Sequence, residues 1–176
     1  LHTTGQDTRA EEVSRETLEL QQRLTRRFPM PAGYWDLAQD HMSVAWSLRN
    51  QRKPLESQKA CERVRGLCNK LVDLFPTSYQ RPRINGLIGT SFLCEGYALL
   101  DSGRVTDAEG LFRQSLSLLQ KVVADFPDDA PSRAHLSSAW SGLGKSLGTT
   151  RQAYEAYREA LAVCETLVRD SPDVKR

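Results

Sequence analysis

Four cysteines are the residues of this chain whose type would most readily support metal or redox chemistry. No Cys-x-x-Cys pair occurs, and Cys61 and Cys68 are seven residues apart without a nearby histidine, so their spacing does not fit a zinc site. Cys61, Cys68 and Cys164 instead fall on the apolar stripes of predicted helices, where a thiol serves as a small apolar side chain. We therefore expect core cysteines with free thiols, no metal, and a reducing, cytoplasmic compartment.

Two further patterns are similar to nucleotide-binding or catalytic motifs but lack essential parts. Gly144-Lys145-Ser146 is similar to the end of a phosphate-binding loop, yet Ala139 stands where that motif requires glycine. The triplet also lies inside a predicted helix, where the backbone amides are already bonded. The three histidines are scattered and have no spaced nucleophile and carboxylate with which to form a triad. We expect neither an enzyme nor a bound cofactor.

The charge balance and the hydropathy of the chain argue against two classes of partner. Lysine and arginine number 24 against 22 acidic residues, a net charge of +2, without the basic excess of a nucleic-acid-binding domain. No apolar run approaches the roughly 18 residues of a membrane span, and no signal peptide opens the chain. We expect binding to neither nucleic acid nor membrane. Because the chain begins at Leu1, we also expect a piece of a longer protein.

The elements that would position any site follow from an internal repeat. Phe28-Pro29, Phe75-Pro76, Phe126-Pro127 and Ser171-Pro172 each close an amphipathic stretch, and their prolines are separated by 47, 51 and 45 residues. A second marker keeps the same spacings, because a small residue stands nineteen positions before each proline. These small residues are Ala10, Ser57, Ala108 and Ala153.

Within each repeat unit the apolar residues recur at intervals of three and four, which is typical of a helix with one buried face. Proline and glycine stand where turns between helices are required. Strand signals are absent. The pattern predicts seven helices, over residues 8–27, 34–51, 54–74, 82–102, 105–125, 131–147 and 150–170.

A helix pair of this size cannot bury its apolar face alone, whereas stacked pairs form one continuous core. We therefore predict an all-α fold, an α-solenoid of stacked antiparallel helix pairs in a single domain over residues 1–176. The first helix lacks its partner and belongs to an incomplete repeat. The predicted units are 1–29 for the incomplete repeat, 30–76, 77–127 and 128–172 for the three full repeats, and 173–176 for a tail.

All three full repeats carry a recognisable signature, which in the first of them falls on His41, Val44, Ala45, Leu48, Ser57 and Cys61. Trp140, Leu143, Gly144 and Leu147, followed by Ala153, Tyr157 and Ala160, resemble the tetratricopeptide repeat, and Phe92, Gly96, Leu99, Ala108 and Phe112 repeat the pattern. The turn at Gly103-Arg104 resembles long-period members of the family, of about 45 residues, which occur in bacterial and often planctomycete proteins beside serine/threonine kinase modules. One departure is Glu95, which stands where the family has leucine.

The resemblance implies roles for the small and the aromatic residues of the signature. The small residues at Gly96, Gly144, Ala108 and Ala153 would let paired helices approach closely, while the aromatic residues fill the space beside them. The first helix of each pair would line a concave face. The ligand-facing positions implied on it are Gln39, Met42, Ser43, Trp46, Arg49, Thr90, Leu93, Cys94, Tyr97, Leu100, Ser138, Ser141, Gly142 and Lys145.

This face allows two interpretations. In one, Trp46 and Tyr97 form an apolar patch in a groove for a peptide, and Arg49 and Lys145 hold an acidic group. In the other, the two aromatic side chains only pack against an adjacent helix. Cys94 lies beside Tyr97 on the implied face. The asparagine and lysine set of the chaperone-binding relatives is missing, so we do not expect binding of chaperone tails.

The function predicted from the resemblance is a non-catalytic protein–protein interaction module that binds a protein or peptide partner, as part of a larger signalling or regulatory protein. Two alternatives remain open. The array is a rigid spacer or self-associating scaffold, or it is the regulatory segment of a serine/threonine kinase whose catalytic domain lies elsewhere.

Overall fold

The computed structural model describes residues 17–76 and 81–170, and within these residues the chain forms helices and no strands. Helix α1 covers residues 17–27. The helices that follow are α2 (Pro31–Asn50), α3 (Pro54–Leu74), α4 (Arg81–Asp101), α5 (Val105–Asp125), α6 (Ala130–Ser146) and α7 (Arg151–Asp170). The predicted all-α fold is confirmed, and the ends of α2–α7 lie within three residues of the predicted ones. The predicted helical residues 8–16 and the tail lie outside the described residues.

The helices begin and end where the backbone chemistry of proline and glycine requires. Pro31 and Pro54 are the first residues of α2 and α3, where the missing amide proton costs no hydrogen bond. This explains why α2 begins before the predicted residue 34. Gly103 and Gly148 end turns with φ of +78° and +68°, a conformation that glycine adopts without steric cost.

Helices pack in pairs, and the pairs stack. Helix α2 contacts α3, α4 contacts α5, and α6 contacts α7, while α3 and α5 each also pack against the first helix of the next pair. The first helices touch one another, α2 against α4 and α4 against α6, whereas within the described ranges no contact of similar extent joins α3 to α5 or α5 to α7. The array therefore curves, with α2, α4 and α6 on its inner side.

Glycines allow the close approach of helices that the sequence signature implied. A Cβ atom on Gly96 would lie 2.9 Å from Cε1 of Phe112, and one on Gly144 would lie 2.8 Å from Cζ of Tyr157. Gly142 lies against the same Phe112 ring, closer still. The rings of Phe112 and Tyr157 therefore fill the space beside these glycines as expected, but Phe112 is completely buried whereas Tyr157 is 43% exposed.

The cysteines show the same difference between the interior and the last pair. Cys61, Cys68 and Cys94 are buried, and Cys164 is exposed, so the expectation of a core position is wrong for Cys164. Cys68 and Cys164 occupy equivalent repeat positions, but Cys68 lies on α3, which is covered by α4, while within the described residues no helix follows α7. Burial raises the pKa of the Cys68 thiol to about 12. The pKa of Cys61 is raised by the hydrogen bond between Cys61 and Cys94 and by burial. The thiols of Cys61 and Cys68 therefore stay protonated at neutral pH.

The turn after α2 contains the one described non-glycine residue with a left-handed backbone, Arg52, whose φ is 58°. Its amide donates to Arg49 O and the next amide to Leu48 O, the same pattern that Gly103 and Arg104 make at the end of α4. We expect Arg52→Gly to stabilise the protein by up to about 1 kcal/mol, because glycine removes the steric cost of this conformation.

Gly103→Ala is the matched opposite change. It should destabilise the protein by a similar amount, since a Cβ on Gly103 meets nothing within 4 Å and only the backbone cost changes. Urea unfolding followed by circular dichroism measures both variants. Equal midpoints for Arg52→Gly and the wild type would show that the arginine turn carries no strain.

Candidate functional site

The candidate site is the inner surface formed by α2, α4 and α6, where sequence reasoning placed the ligand-facing residues. Nine of these residues are accessible there: Gln39, Ser43 and Lys145 are exposed, and Trp46, Arg49, Tyr97, Leu100, Ser138 and Ser141 are half-buried.

Five of the nominated residues are not on the accessible surface, and for them the prediction is wrong. Met42, Thr90, Leu93, Cys94 and Gly142 are buried, Leu93 and Cys94 completely. The reason is the contact between successive first helices, since α2 and α6 both pack against α4 and cover the residues between them. Cys94 also has Ser57 Oγ 3.7 Å from its Sγ, so it belongs to the packing of α3 against α4.

Tyr97 stands at the centre of the accessible part and joins three helices. Its hydroxyl donates a hydrogen bond of 2.8 Å to the carbonyl oxygen of Ser138 on α6. The guanidinium carbon of Arg49, from α2, lies 4.8 Å from the ring centroid, and Nζ of Lys145, from α6, lies 5.5 Å from it. Two cations from two different helices therefore converge on one aromatic ring, at distances within the range of cation–π attraction.

The two cations differ in how far their charge is already compensated. Arg49 Nε donates to Asp101 Oδ2 at 3.0 Å, and the Asp101 side chain is largely exposed to water. Lys145 is exposed and makes no ion pair within the part of the chain that the structure describes. The site therefore has one cation without a compensating carboxylate and a second whose carboxylate is solvated.

Trp46 supplies apolar surface beside this pair of cations. Its ring packs partly against both core clusters of the described chain, and Arg49 lies 5.8 Å from its centroid. Trp46 and Tyr97 are both half-buried, so each packs against neighbouring helices and also presents part of its ring at the inner surface. The same two residues thus combine the exposed apolar surface that a peptide groove requires with the packing against adjacent helices that the other interpretation requires.

Asp101 is the residue of this site that sequence reasoning missed. It lies four residues after Tyr97, one turn along the same face of α4, and this spacing was the available signal. Its partner Arg49 is 52 residues away in sequence, so the pairing itself follows from the stacking of α2 on α4.

Tyr97 is the titratable group at the centre of the inner surface whose pKa is shifted. Burial raises the pKa of Tyr97, although Arg49 opposes the shift, so the phenol stays neutral and acts as a hydrogen-bond donor. Among the described residues no group of three or more histidine, cysteine, aspartate or glutamate side chains is placed to hold a metal ion. In the same residues, no helix combines the length and apolar character needed to cross a bilayer.

A second concavity, a cleft of about 890 Å³, lies between α1, α2 and α3 and has His41 in its lining. Gln22 Nε2 lies 3.3 Å from His41 Nε2 and donates to it, and the buried Nδ1 of the imidazole has no hydrogen-bond partner among the described residues. Burial lowers the pKa of His41, assisted by the nearby charge of Arg63 and opposed by Asp40. The folded state therefore holds the neutral imidazole.

This neutral histidine makes stability depend on pH. Because the folded pKa lies below the unfolded value of 6.5, the unfolded chain binds more protons as the pH falls below 6.5. Stability should therefore be fullest above pH 6.5 and decrease below it, by at most about 1.4 kcal/mol per pH unit from His41.

We expect His41→Phe, which places at this position the residue found at the equivalent Phe92, to reduce that dependence. His135, whose pKa burial also lowers, should account for a remaining part. Urea midpoints at pH 7.5 and 5.5 measure the difference. An unchanged pH dependence in His41→Phe would contradict the assignment.

No family model, curated protein or solved structure matches the chain. The geometry of the inner surface is therefore the basis for the function proposed below.

Proposed function

We propose that the chain is a non-catalytic, tetratricopeptide-like interaction module whose inner surface binds a peptide segment of a protein partner through an acidic group. The observation that carries the proposal is the convergence of Arg49 and Lys145 on the ring of Tyr97. An acidic side chain or a terminal carboxylate placed beside Tyr97 would meet both cations, and charge-assisted hydrogen bonds to such groups are the strong ones.

Apolar surface next to the cations supports a peptide rather than a small anion as the ligand. Trp46 and Leu100 are half-buried on the same surface, and aromatic and arginine side chains are the usual anchors of protein interfaces. The expected ligand therefore combines an acidic residue with a neighbouring apolar one. Asp101 would be displaced from Arg49 or share it, which is inexpensive because its carboxylate is already solvated.

The absence of an activated nucleophile from this surface supports a non-catalytic role. The Tyr97 phenol is neutral and bonded to Ser138, and Cys94 is buried away from the surface. The reduced state of the four cysteines agrees with a cytoplasmic protein, and we place the module in a larger signalling or regulatory protein.

The experiment uses an array of synthetic peptides with systematically varied acidic and apolar residues, each with a free or an amidated C-terminus. We expect binding of acidic-apolar peptides that weakens with salt, and a loss of at least about tenfold in affinity for Arg49→Gln/Lys145→Gln. The matched control is Lys121→Gln/Arg169→Gln, which removes the same charge from exposed positions on α5 and α7. Equal binding by the two double variants would contradict the proposal.

The binding test replaces the two cations with glutamine, because alanine at the aromatic residues would also change the packing of the fold. Trp46 packs against both core clusters and Tyr97 contacts the Phe112 ring edge-on at 5.1 Å, so Trp46→Ala/Tyr97→Ala alters packing as well as the surface. If no peptide binds any form of the chain, the rigid-spacer alternative replaces the groove.

A further inference from the structure

Helix α7 carries an apolar face that is largely exposed within the described residues. Tyr157, Leu161, Cys164 and Val168, which we call the α7 stripe, are all exposed, Leu161 by 58%. Tyr154, also exposed, continues the stripe toward the N-terminal end of the helix. Their spacing of three and four residues places them on one side of α7. The buried Ala153, Ala156 and Ala160 lie on an adjacent side, against α6.

Helix α5 of the preceding repeat shows what packs against the equivalent face. Forty-five residues earlier, at the same distance before the preceding Phe-Pro, stand Phe112, Leu116, Leu119 and Val123 of α5. The first three are buried and Val123 is half-buried, because α4 and α6 both pack against α5, and Phe112 lies against Gly96 of α4 and Gly142 of α6. Helix α7 has the first of these contacts, since Tyr157 lies against Gly144 and Cys164 Sγ lies 3.0 Å from Ser137 Oγ of α6, but within the described residues no helix takes the place of the second. The α7 stripe is therefore a helix-binding face that is covered on one side only.

The pattern of the stripe fits a second copy of itself. Its intervals are four, three and four residues, which read the same in both directions. When two α7 helices lie antiparallel, Tyr157 faces Val168 of the second copy and Leu161 faces Cys164 of the second copy. Each position of the stripe then meets another position of the stripe, as the core positions of an antiparallel coiled coil do.

Charged residues beside the stripe agree with this arrangement. Arg158 and Glu165 flank it on the side away from the buried alanines, and neither makes an ion pair within the described chain. They are seven residues apart, too far to pair with each other along one helix. In the antiparallel pair, Arg158 lies beside Glu165 of the second copy, and two-fold symmetry forms this contact twice.

We propose that the chain forms a two-fold symmetric dimer through antiparallel packing of its α7 helices. The proposal goes beyond the peptide-binding function, because it uses α7 and not the inner surface of α2, α4 and α6. A single helix pair is a small interface, so the dimer should be weak, with a dissociation constant on the order of tens of micromolar.

The first test is sedimentation equilibrium of the full chain under reducing conditions across that concentration range. We expect a monomer–dimer equilibrium in the wild type and at least about tenfold weaker association in Leu161→Glu. Leu55→Glu is the matched control, since Leu55 is a similarly exposed leucine on α3 away from the stripe. A wild type that stays monomeric to several hundred micromolar, or a dimer that Leu161→Glu leaves unchanged, overturns the proposal.

The second test separates this pairing from general stickiness of an apolar face. Arg158→Glu and Glu165→Arg should each weaken self-association about tenfold, because each places like charges side by side. Mixed in equal amounts, the two variants should form a heterodimer as tight as the wild-type dimer, since every charged pair is then opposite in sign. If the mixture associates no better than the separate variants, the antiparallel arrangement is wrong.

Discussion

Replacing Phe112 with alanine is expected to reduce the free energy of unfolding by about 3 to 5 kcal/mol, among the largest effects of any single change in this protein. The ring is completely buried, and it lies between two pairs, against Gly96 of α4 and Gly142 of α6. Its removal leaves a cavity that helix backbones cannot easily fill, because no side chain at either glycine can move into it. A lower urea midpoint, followed by circular dichroism, measures the loss.

Tyr157→Ala is the matched control for this prediction. Tyr157 occupies the equivalent repeat position and also lies against a glycine, Gly144, but it is 43% exposed. Its truncation should cost clearly less, about 1 to 2 kcal/mol, when measured at a concentration too low for self-association. Equal losses for the two variants would mean that Phe112 does not bridge the two pairs.

The contrast between these two aromatic residues shows how much of the fold the sequence could predict. The Phe-Pro spacing and the small residues in step with it located the pairs, because such local patterns set helix ends and buried stripes. The same register predicted Cys164 as a core residue, which is wrong, and it placed Tyr157 beside a glycine, which is right, but it did not indicate that Tyr157 is 43% exposed. A repeat position is buried only when a neighbouring helix covers it, and periodicity alone does not tell which positions are covered.

The candidate site was predictable only in part, because the burial of its residues also depends on neighbouring helices. The family resemblance pointed to the inner face of α2, α4 and α6, and Trp46, Arg49, Tyr97 and Lys145 lie there. Leu93 was also nominated but is buried, since the closeness of successive first helices depends on how far the array curves. That curvature results from side-chain packing between pairs, which sequence spacing does not specify.

Glu95 is a departure from the family pattern that the structure explains. Its carboxylate lies between α3 and α4 with only 12% of the side chain exposed, and Arg65 Nη1 is 2.8 Å from its Oε2. The contact is ionic rather than a well-directed hydrogen bond, since Oε2 accepts none. Arg65 also lies 4.6 Å from the Phe92 centroid and donates to Ser91 Oγ at 3.3 Å. The charge of this nearly buried glutamate is thus matched by an arginine on the neighbouring pair.

Arg65→Met should therefore reduce the free energy of unfolding by about 3 kcal/mol, because it leaves the Glu95 carboxylate buried without a cation. Arg65→Met/Glu95→Leu should recover most of the loss, because two apolar side chains of similar volume pack in the same space without a charge to solvate. The double-mutant cycle then gives a coupling energy of about 2 kcal/mol or more.

An exposed ion pair provides the comparison for that cycle. Arg113 and Glu109 pair at 2.8 Å on the surface of α5, and Arg113→Met should change stability by less than about 0.5 kcal/mol. Both pairs have opposite charges in contact, so a difference between the two losses of stability arises from burial and not from the ionic contact. A loss at Arg65 as small as that at Arg113, without recovery in the double variant, would mean that water reaches Glu95 and that the pair does not hold α3 against α4.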